Sequence, residues 1–214
     1  VGFAYSQSVA KVSQEYPDVH FAIIDDEAAQ GDNIANLVFA EEQGSFLVGA
    51  AAALKSETDH IGFIGGVEVP LIQKFEAGYV AGAKEVNPDI TIDITYLTQP
   101  PDFSGFNDPA KGKTAAQGMF DAGADVVYHA AGGSGGGLFE AASETGNWAI
   151  GVDSDQYELA DDSVKDSILT SMLKNVDVAV YEFLTEVNDG TFPSGVVRYD
   201  LESDGVGYST SGGF

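Results

Sequence analysis

The chain has 214 residues, enough to bury one or two cores, and carries 34 acidic residues against nine basic ones for a net charge of −25. No basic patch is available to neutralise phosphates, which excludes nucleic-acid polymers and anionic membrane surfaces as partners. Cysteine is absent, so this chain holds no disulfide, thiolate nucleophile or Cys-ligated zinc, and no apolar run reaches the roughly 18 residues needed to cross a bilayer.

The acids are scattered as DD, EE and single residues rather than gathered in one tail, and eight of the nine basic residues are Lys. A distributed carboxylate surface suits a protein kept hydrated in high salt, where screening removes the self-repulsion. A halophilic protein is expected, with an ordinary acidic bacterial protein as the alternative; unfolding at low and molar salt separates the two.

In chain order, residues 1–5 read as a buried strand, followed by a helix carrying Val9, Val12 and Tyr16. VHFAIID (19–25) is β-rich. Residues 33–54 carry apolar side chains at helical spacing, interrupted at Gly44 and Ser45, and read as two helices meeting at a turn. HIGFIGG (60–66) is a strand. Residues 70–86 form a helix with Phe75, Tyr79 and Ala83 on one face, stopped by Asn87 and Pro88. ITIDITYL is a strand, then a loop passes through Asn107 to a helix over 110–121. ADVVYHAA leads through a glycine run into a helix reaching Ser143, and WAIGVD and ILTSML are further strands. A helix over 176–187 and the strands VVRYDL and VGYST complete the pattern.

Strands alternating with helices imply an α/β protein with doubly wound parallel sheets. In that class ligands bind beyond the carboxyl ends of the strands. The run AAGGSGGGLFEA lies at such a place, between a strand and a helix, with glycine at five of the six positions 132–137. Glycine there removes the Cβ that would hold a ligand off the backbone and exposes N–H groups at a helix start; a merely tight turn is the plainer reading. No Lys follows as a P-loop requires, and a GxGxxG reading lacks its nucleotide-binding context.

Other strand ends are polar or aromatic. Asp25 and Asp26 follow FAII; Phe103, Phe106 and Asp108 occupy the next loop; Asp153, Asp155 and Gln156 follow AIGV; and Lys174 ends SML. Carboxylates there can accept the hydroxyls of a ribose or sugar, an aromatic can stack on a flat base, and a lysine can hold a carboxylate or donate to a ligand. Asp26 and Asp155 read equally as helix caps. One of Phe103 and Phe106 reads as core.

An enzyme would need a positioned base or nucleophile. His20 and His60 precede strands, away from the expected site, and His129 lies inside an apolar strand. None has a partner at metal-ligand spacing, so no metal site and no cofactor are expected. Gly132-Gly133-Ser134-Gly135-Gly136 satisfies GxSxG between a strand and a helix, which makes a serine hydrolase the remote alternative. No histidine follows His129 to complete such a triad.

The ordered series YPDVHFAIID, EEQGSFLVGAAAAL, IGFIGG, PLIQKFEAGYVAGAK, FNDPAKGK, GADVVYHAAGGSGGG, IGVDSDQ and LTSMLKNVDVAVY resembles the basic membrane protein family of lipoproteins, the PnrA-like purine-nucleoside receptors of ABC importers. The resemblance covers nearly the whole chain. It implies a periplasmic-binding-protein type I fold, in which two doubly wound lobes enclose a cleft, with residues 1–56 and 175–191 in one lobe and 57–174 and 192–214 in the other. It further implies a nucleoside ligand and ABC permease partners, with the protein outside the cytoplasm and lipid-anchored to the membrane. Asp25 and Asp153 become acceptors for ribose or base, Phe106 the stacking ring, Gly132 and Gly133 the backbone wall, and Lys174 the basic partner. Phe106 is placed above Phe103 because it directly precedes Asn107-Asp108-Pro109.

The family's opening strand and helix, which complete the base pocket and carry the lipid-bearing cysteine, are expected to precede Val1. They correspond to about two βα units, on the order of 60 to 80 residues. A sugar-binding receptor, or a ligand-sensing domain of a transcriptional or signalling regulator, shares the fold and is carried as an alternative. Purine, pyrimidine and sugar ligands stay open on the residues alone.

Overall fold

The computed structural model describes residues 1–212. Its elements follow in the order α1 (Ser6–Glu15), β1 (Phe21–Ile24), β2 (Ile34–Phe39), α2 (Glu41–Lys55), β3 (His60–Val67), α3 (Pro70–Val86), β4 (Thr91–Thr98) and α4 (Pro109–Asp121). Then come β5 (Val126–Ala130), α5 (Gly135–Thr145), β6 (Trp148–Asp153), α6 (Gln156–Leu159), β7 (Ile168–Lys174), α7 (Val176–Asn188), β8 (Gly195–Tyr199) and β9 (Val206–Tyr208). Most strands and helices match the sequence-based expectation. The helix over Pro70–Val86 does so to the residue, because Pro70 presets its first turn and Phe75, Tyr79 and Ala83 recur on one buried face.

Two expectations are corrected. Residues 33–54 are not two helices but β2 followed by the single helix α2. All six residues of β2 are buried, so it lacks the alternation that marks a half-exposed strand, and its apolar run is indistinguishable by period from a buried helix. Gly44 and Ser45 lie inside α2 and are buried there. Residues 1–5 form no strand: Phe3–Tyr5 is a 3-10 turn, Gly2 makes a single parallel bridge to Ile24, and Val1 and Tyr5 are exposed.

Two compact units result: Val1–Ala40 with Asn175–Val206, and Glu41–Lys174 with the residues from Gly207 on. This division assigns α2 and β8 differently from the boundaries at 56/57 and 191/192 that the family resemblance implies.

The first unit is built on a parallel three-stranded sheet in the order β1-β2-β8. Val9 of α1 packs with Ile23, Ala29 and Ile34. The amide of Asn36 donates to the carbonyls of Asp26 and Ala29 at 3.0 and 2.8 Å, tying down the turn that follows β1. Asp26 accepts at Oδ2 from the N–H of Ala29 at 2.8 Å, which closes a turn and caps no helix.

The second unit is a six-stranded sheet in the order β4-β3-β5-β6-β7-β9, and each neighbouring pair from β4 to β7 is parallel. Strand order thus runs outward in both directions from β3, as in doubly wound sheets. On one side α2 and α3 cross closely: an added Cβ at Gly49 would lie 2.1 Å from the Tyr79 carbonyl oxygen, and one at Gly82 would lie 1.9 Å from that of Phe46. Elsewhere Ile64, Met119, Phe120, Val127, Leu138 and Ile168 form a buried cluster under α4 and α5.

Candidate functional site

Because β3 to β7 run parallel, the loops that follow β4, β5, β6 and β7 all leave the same edge of the six-stranded sheet. Phe106 follows β4, Gly132 and Gly133 follow β5, Asp153 ends β6 and Lys174 ends β7. Five of the six residues singled out in the sequence therefore share one sheet edge. Asp25 holds the corresponding position in the other unit, directly after β1.

Phe106 closes a 3-10 turn over Ser104–Phe106, and its half-buried ring lies on Gly66 at the end of β3. A Cβ at Gly66 would stand 2.5 Å from Phe106 Cδ1, so only glycine admits the ring. Phe103 is exposed at 45% and precedes the same turn. The expectation that one of the pair belongs to the core is answered by neither being fully buried.

The glycine run divides into two faces. Gly132 has φ +53°, in the left-handed region that glycine tolerates, and it is exposed together with Gly133 and Gly136. Gly135 and Gly137 are buried: a Cβ at the first would meet His129 Cε1 at 2.0 Å, and at the second the Pro109 carbonyl oxygen at 1.9 Å. Half of the run is therefore packing that seats α5 on β5 and α4, and half is bare backbone.

Ser134 is a buried pin. Its hydroxyl donates to the Gly105 carbonyl at 2.7 Å and accepts from the Asp108 N–H at 2.8 Å, which fastens the Phe106 turn to the glycine run. A nucleophile needs that oxygen exposed and activated by a base. The hydrolase alternative is overturned by this geometry. His129 is no such base: its ring is buried, its Nε2 faces Gln156 Oε1 at 3.0 Å, and burial lowers its pKa from 6.5 to about 4.

Asp153 has φ +66° and Asp25 has φ +65°, so each sharply turns the chain as it leaves a strand. Aspartate tolerates this region better than most side chains, at some strain. The Asp153 side chain is exposed and that of Asp25 half-exposed. Asp155, expected as a possible cap for α6, makes no capping bond; its Oδ2 accepts from the hydroxyls of Ser209 and Ser211 instead.

Lys174 is set into the sheet rather than displayed. Its side chain is only 5% exposed and its ammonium lies 3.2 Å from Oε1 of Glu41, a carboxylate that is 1% exposed. The other oxygen, Oε2, is 3.5 Å from the ammonium of Lys74. Phe75 presents its ring 5.7 Å from the Lys174 ammonium. Beside them the buried Tyr128 hydroxyl shares a 3.2 Å bond with Ser45, and burial pushes its pKa well above the ordinary value, with Asp153, Tyr79 and Glu41 adding to the rise. Glu41 escaped the sequence reading. In AEEQGS it looks like a solvated helix start, and only its burial marks it.

A cavity of about 450 Å³ adjoins the exposed glycines, lined among others by Gly132, Gly133, Gly136, Phe139 and Gln156; Phe106, Asp153 and Lys174 are not in its lining. Among the described residues no group of three or more His, Cys, Asp or Glu could hold a metal ion, and no helix is long and apolar enough to cross a membrane.

Two α/β units built on parallel sheets, with polar residues at strand carboxyl ends, are the architecture of the periplasmic-binding-protein type I fold. A solved solute-binding protein of an ABC transporter system from Aeropyrum pernix K1 superposes with a TM-score of 0.84 at 32% identity, over 98% of this chain and 59% of that one. The family model described as "ABC transporter substrate-binding protein PnrA-like" matches residues 1–212, and the chain belongs to that family, whose members bind solutes rather than transform them. Among curated proteins, the CD4+ T-cell-stimulating antigen of Listeria monocytogenes is 37% identical over 98% of this chain. The ABC transporter nucleoside-binding protein BmpA of Lactococcus lactis is 37% identical over 96% of it. The chain spans 60% and 61% of the lengths of these two relatives.

Proposed function

We propose that this protein is the extracytoplasmic receptor of an ABC importer, lipid-anchored to the membrane, which binds a nucleoside, preferably a purine one, and passes it to permease subunits. The observation that carries the reading is the gathering of an aromatic ring, bare glycine backbone, a carboxylate and a lysine on one sheet edge. Those are the groups a nucleoside needs: Phe106 stacks on the base, Gly132 and Gly133 let the ligand approach the backbone, and Asp153 accepts from hydroxyls while Lys174 donates to them. Asp25 has the same position and backbone turn in its own sheet and is taken as a second acceptor. The similarity to a Lactococcus lactis protein named for nucleoside binding supports the ligand class. The acidic surface is read as an adaptation to high salt.

Calorimetric titration and thermal shift in molar salt test this on the full-length protein. Adenosine, guanosine and inosine are expected to bind, uridine more weakly, and ribose or glucose not at all. No response to any nucleoside, or a stronger response to a sugar, overturns the reading.

A further inference from the structure

Lys174 ends a buried strand in a chain with few cations, and a lysine in that place loses charge unless something compensates for the lost water. The compensation comes from another element. Glu41 begins α2, where the helix start favours a carboxylate, and it is buried as completely as the lysine it meets. Lys74, from the first turns of α3, is 39% exposed and engages the second carboxylate oxygen at 3.5 Å. The carboxylate thus has a cation on each oxygen, one buried toward the site edge and one reaching solvent.

We propose that Glu41 is a positioning residue that holds the Lys174 ammonium, charged and in register, at the carboxyl edge where the ligand is taken. This rests on the functional reading above. Glu41 at the start of α2 lies 3.2 Å from the ammonium, and the Phe75 ring on α3 lies 5.7 Å from it. What the lysine then presents to a ligand is set by two helices rather than by its own four flexible torsions. Asp153, the last residue of β6, pairs with Leu173, and Lys174 is the next residue along the neighbouring strand β7.

The ionisable groups near the pair include Lys74 from α3, Tyr128 from β5 with Tyr79 behind it, and Asp153 from β6. Both tyrosines are held well above their usual range by burial and stay neutral near neutrality. Nucleoside affinity of the natural protein is therefore expected to be flat near neutrality.

The test is Glu41→Gln, which keeps the shape and removes the charge. Its Lys174 should titrate at lower pH than in the natural protein, followed through the lysine side-chain signals by NMR without any ligand. Guanosine affinity should fall at least tenfold at pH 8.5 and recover toward pH 6 as the lysine regains its proton, which a purely structural role would not produce. An unmoved titration overturns the proposal, and so does a moved titration with unchanged guanosine affinity. If the natural protein binds no nucleoside, the functional reading fails and takes this one with it, a result told apart from a failure confined to the variant. Should the variant not fold, the natural protein decides: slow exchange of the Lys174 ammonium protons supports the hold by Glu41, and fast exchange overturns it.

Discussion

Gln156 and His129 fix one another's chemistry. Oε1 of Gln156 accepts from the Val152 N–H at 2.7 Å, which identifies it as the oxygen, so the His129 Nε2 that faces it at 3.0 Å must carry the proton. Nδ1 is left to accept from the Ala131 N–H at 3.4 Å. The ring is a neutral strut between β5 and α6, and its pKa of about 4 follows from burial, which the bond to Gln156 opposes.

A depressed folded-state value has a definite sign. Above pH 6.5 neither state holds the extra proton; as pH falls from 6.5 towards 4 the unfolded chain takes it up and the folded one does not, so stability is lost over that window. The loss attributable to this residue is roughly 3 kcal/mol. Comparing denaturant unfolding of the natural protein and His129→Gln from pH 7 to pH 4 should show the variant, less stable at pH 7, closing the gap by about that amount. Parallel curves would contradict it.

The two faces of the glycine run should respond oppositely to alanine. Gly136→Ala meets nothing within 4 Å and lies in α5, so it should stabilise by roughly 0.5–1 kcal/mol. Gly135→Ala drives a Cβ into His129 and should destabilise by about 2 kcal/mol or more. Chemical denaturation reads both.

Ser134→Ala removes a donor to the Gly105 carbonyl and leaves the Asp108 N–H without its acceptor. A cost of about 2 kcal/mol is expected, with faster amide exchange through the Ser104–Phe106 turn. Guanosine affinity should weaken with it if Phe106 stacks on the base.

Asp153→Asn keeps a side chain that tolerates positive φ and removes the charge. Stability should change by less than about 0.5 kcal/mol while guanosine affinity drops about tenfold or more, as measured by calorimetry. Asp153→Ala, which also strains the backbone, should lose both.

With 34 acidic side chains and nine basic ones, self-repulsion opposes the folded state wherever salt is low. The midpoint of thermal unfolding should rise steeply between about 0.05 and 2 M NaCl. A midpoint independent of salt would refute the halophilic reading.

The sequence by itself determined the architecture, because alternating strand and helix patterns admit few topologies, and a Pro start or an Asn-Pro stop marks helix ends without reference to anything distant. It also determined which strand ends carry polar residues, and hence five residues of one sheet edge, since chain order alone assigns a loop to the carboxyl end of its strand. Tertiary structure alone decided β2, whose two buried faces erase any period, and the double role of the glycine run, whose buried members are distinguished from the exposed ones only by what lies opposite. It alone also decided the setting of Lys174. Glu41 and Lys174 are joined by the folding of α2 onto β7, and a pairing across more than a hundred residues leaves no mark in local spacing.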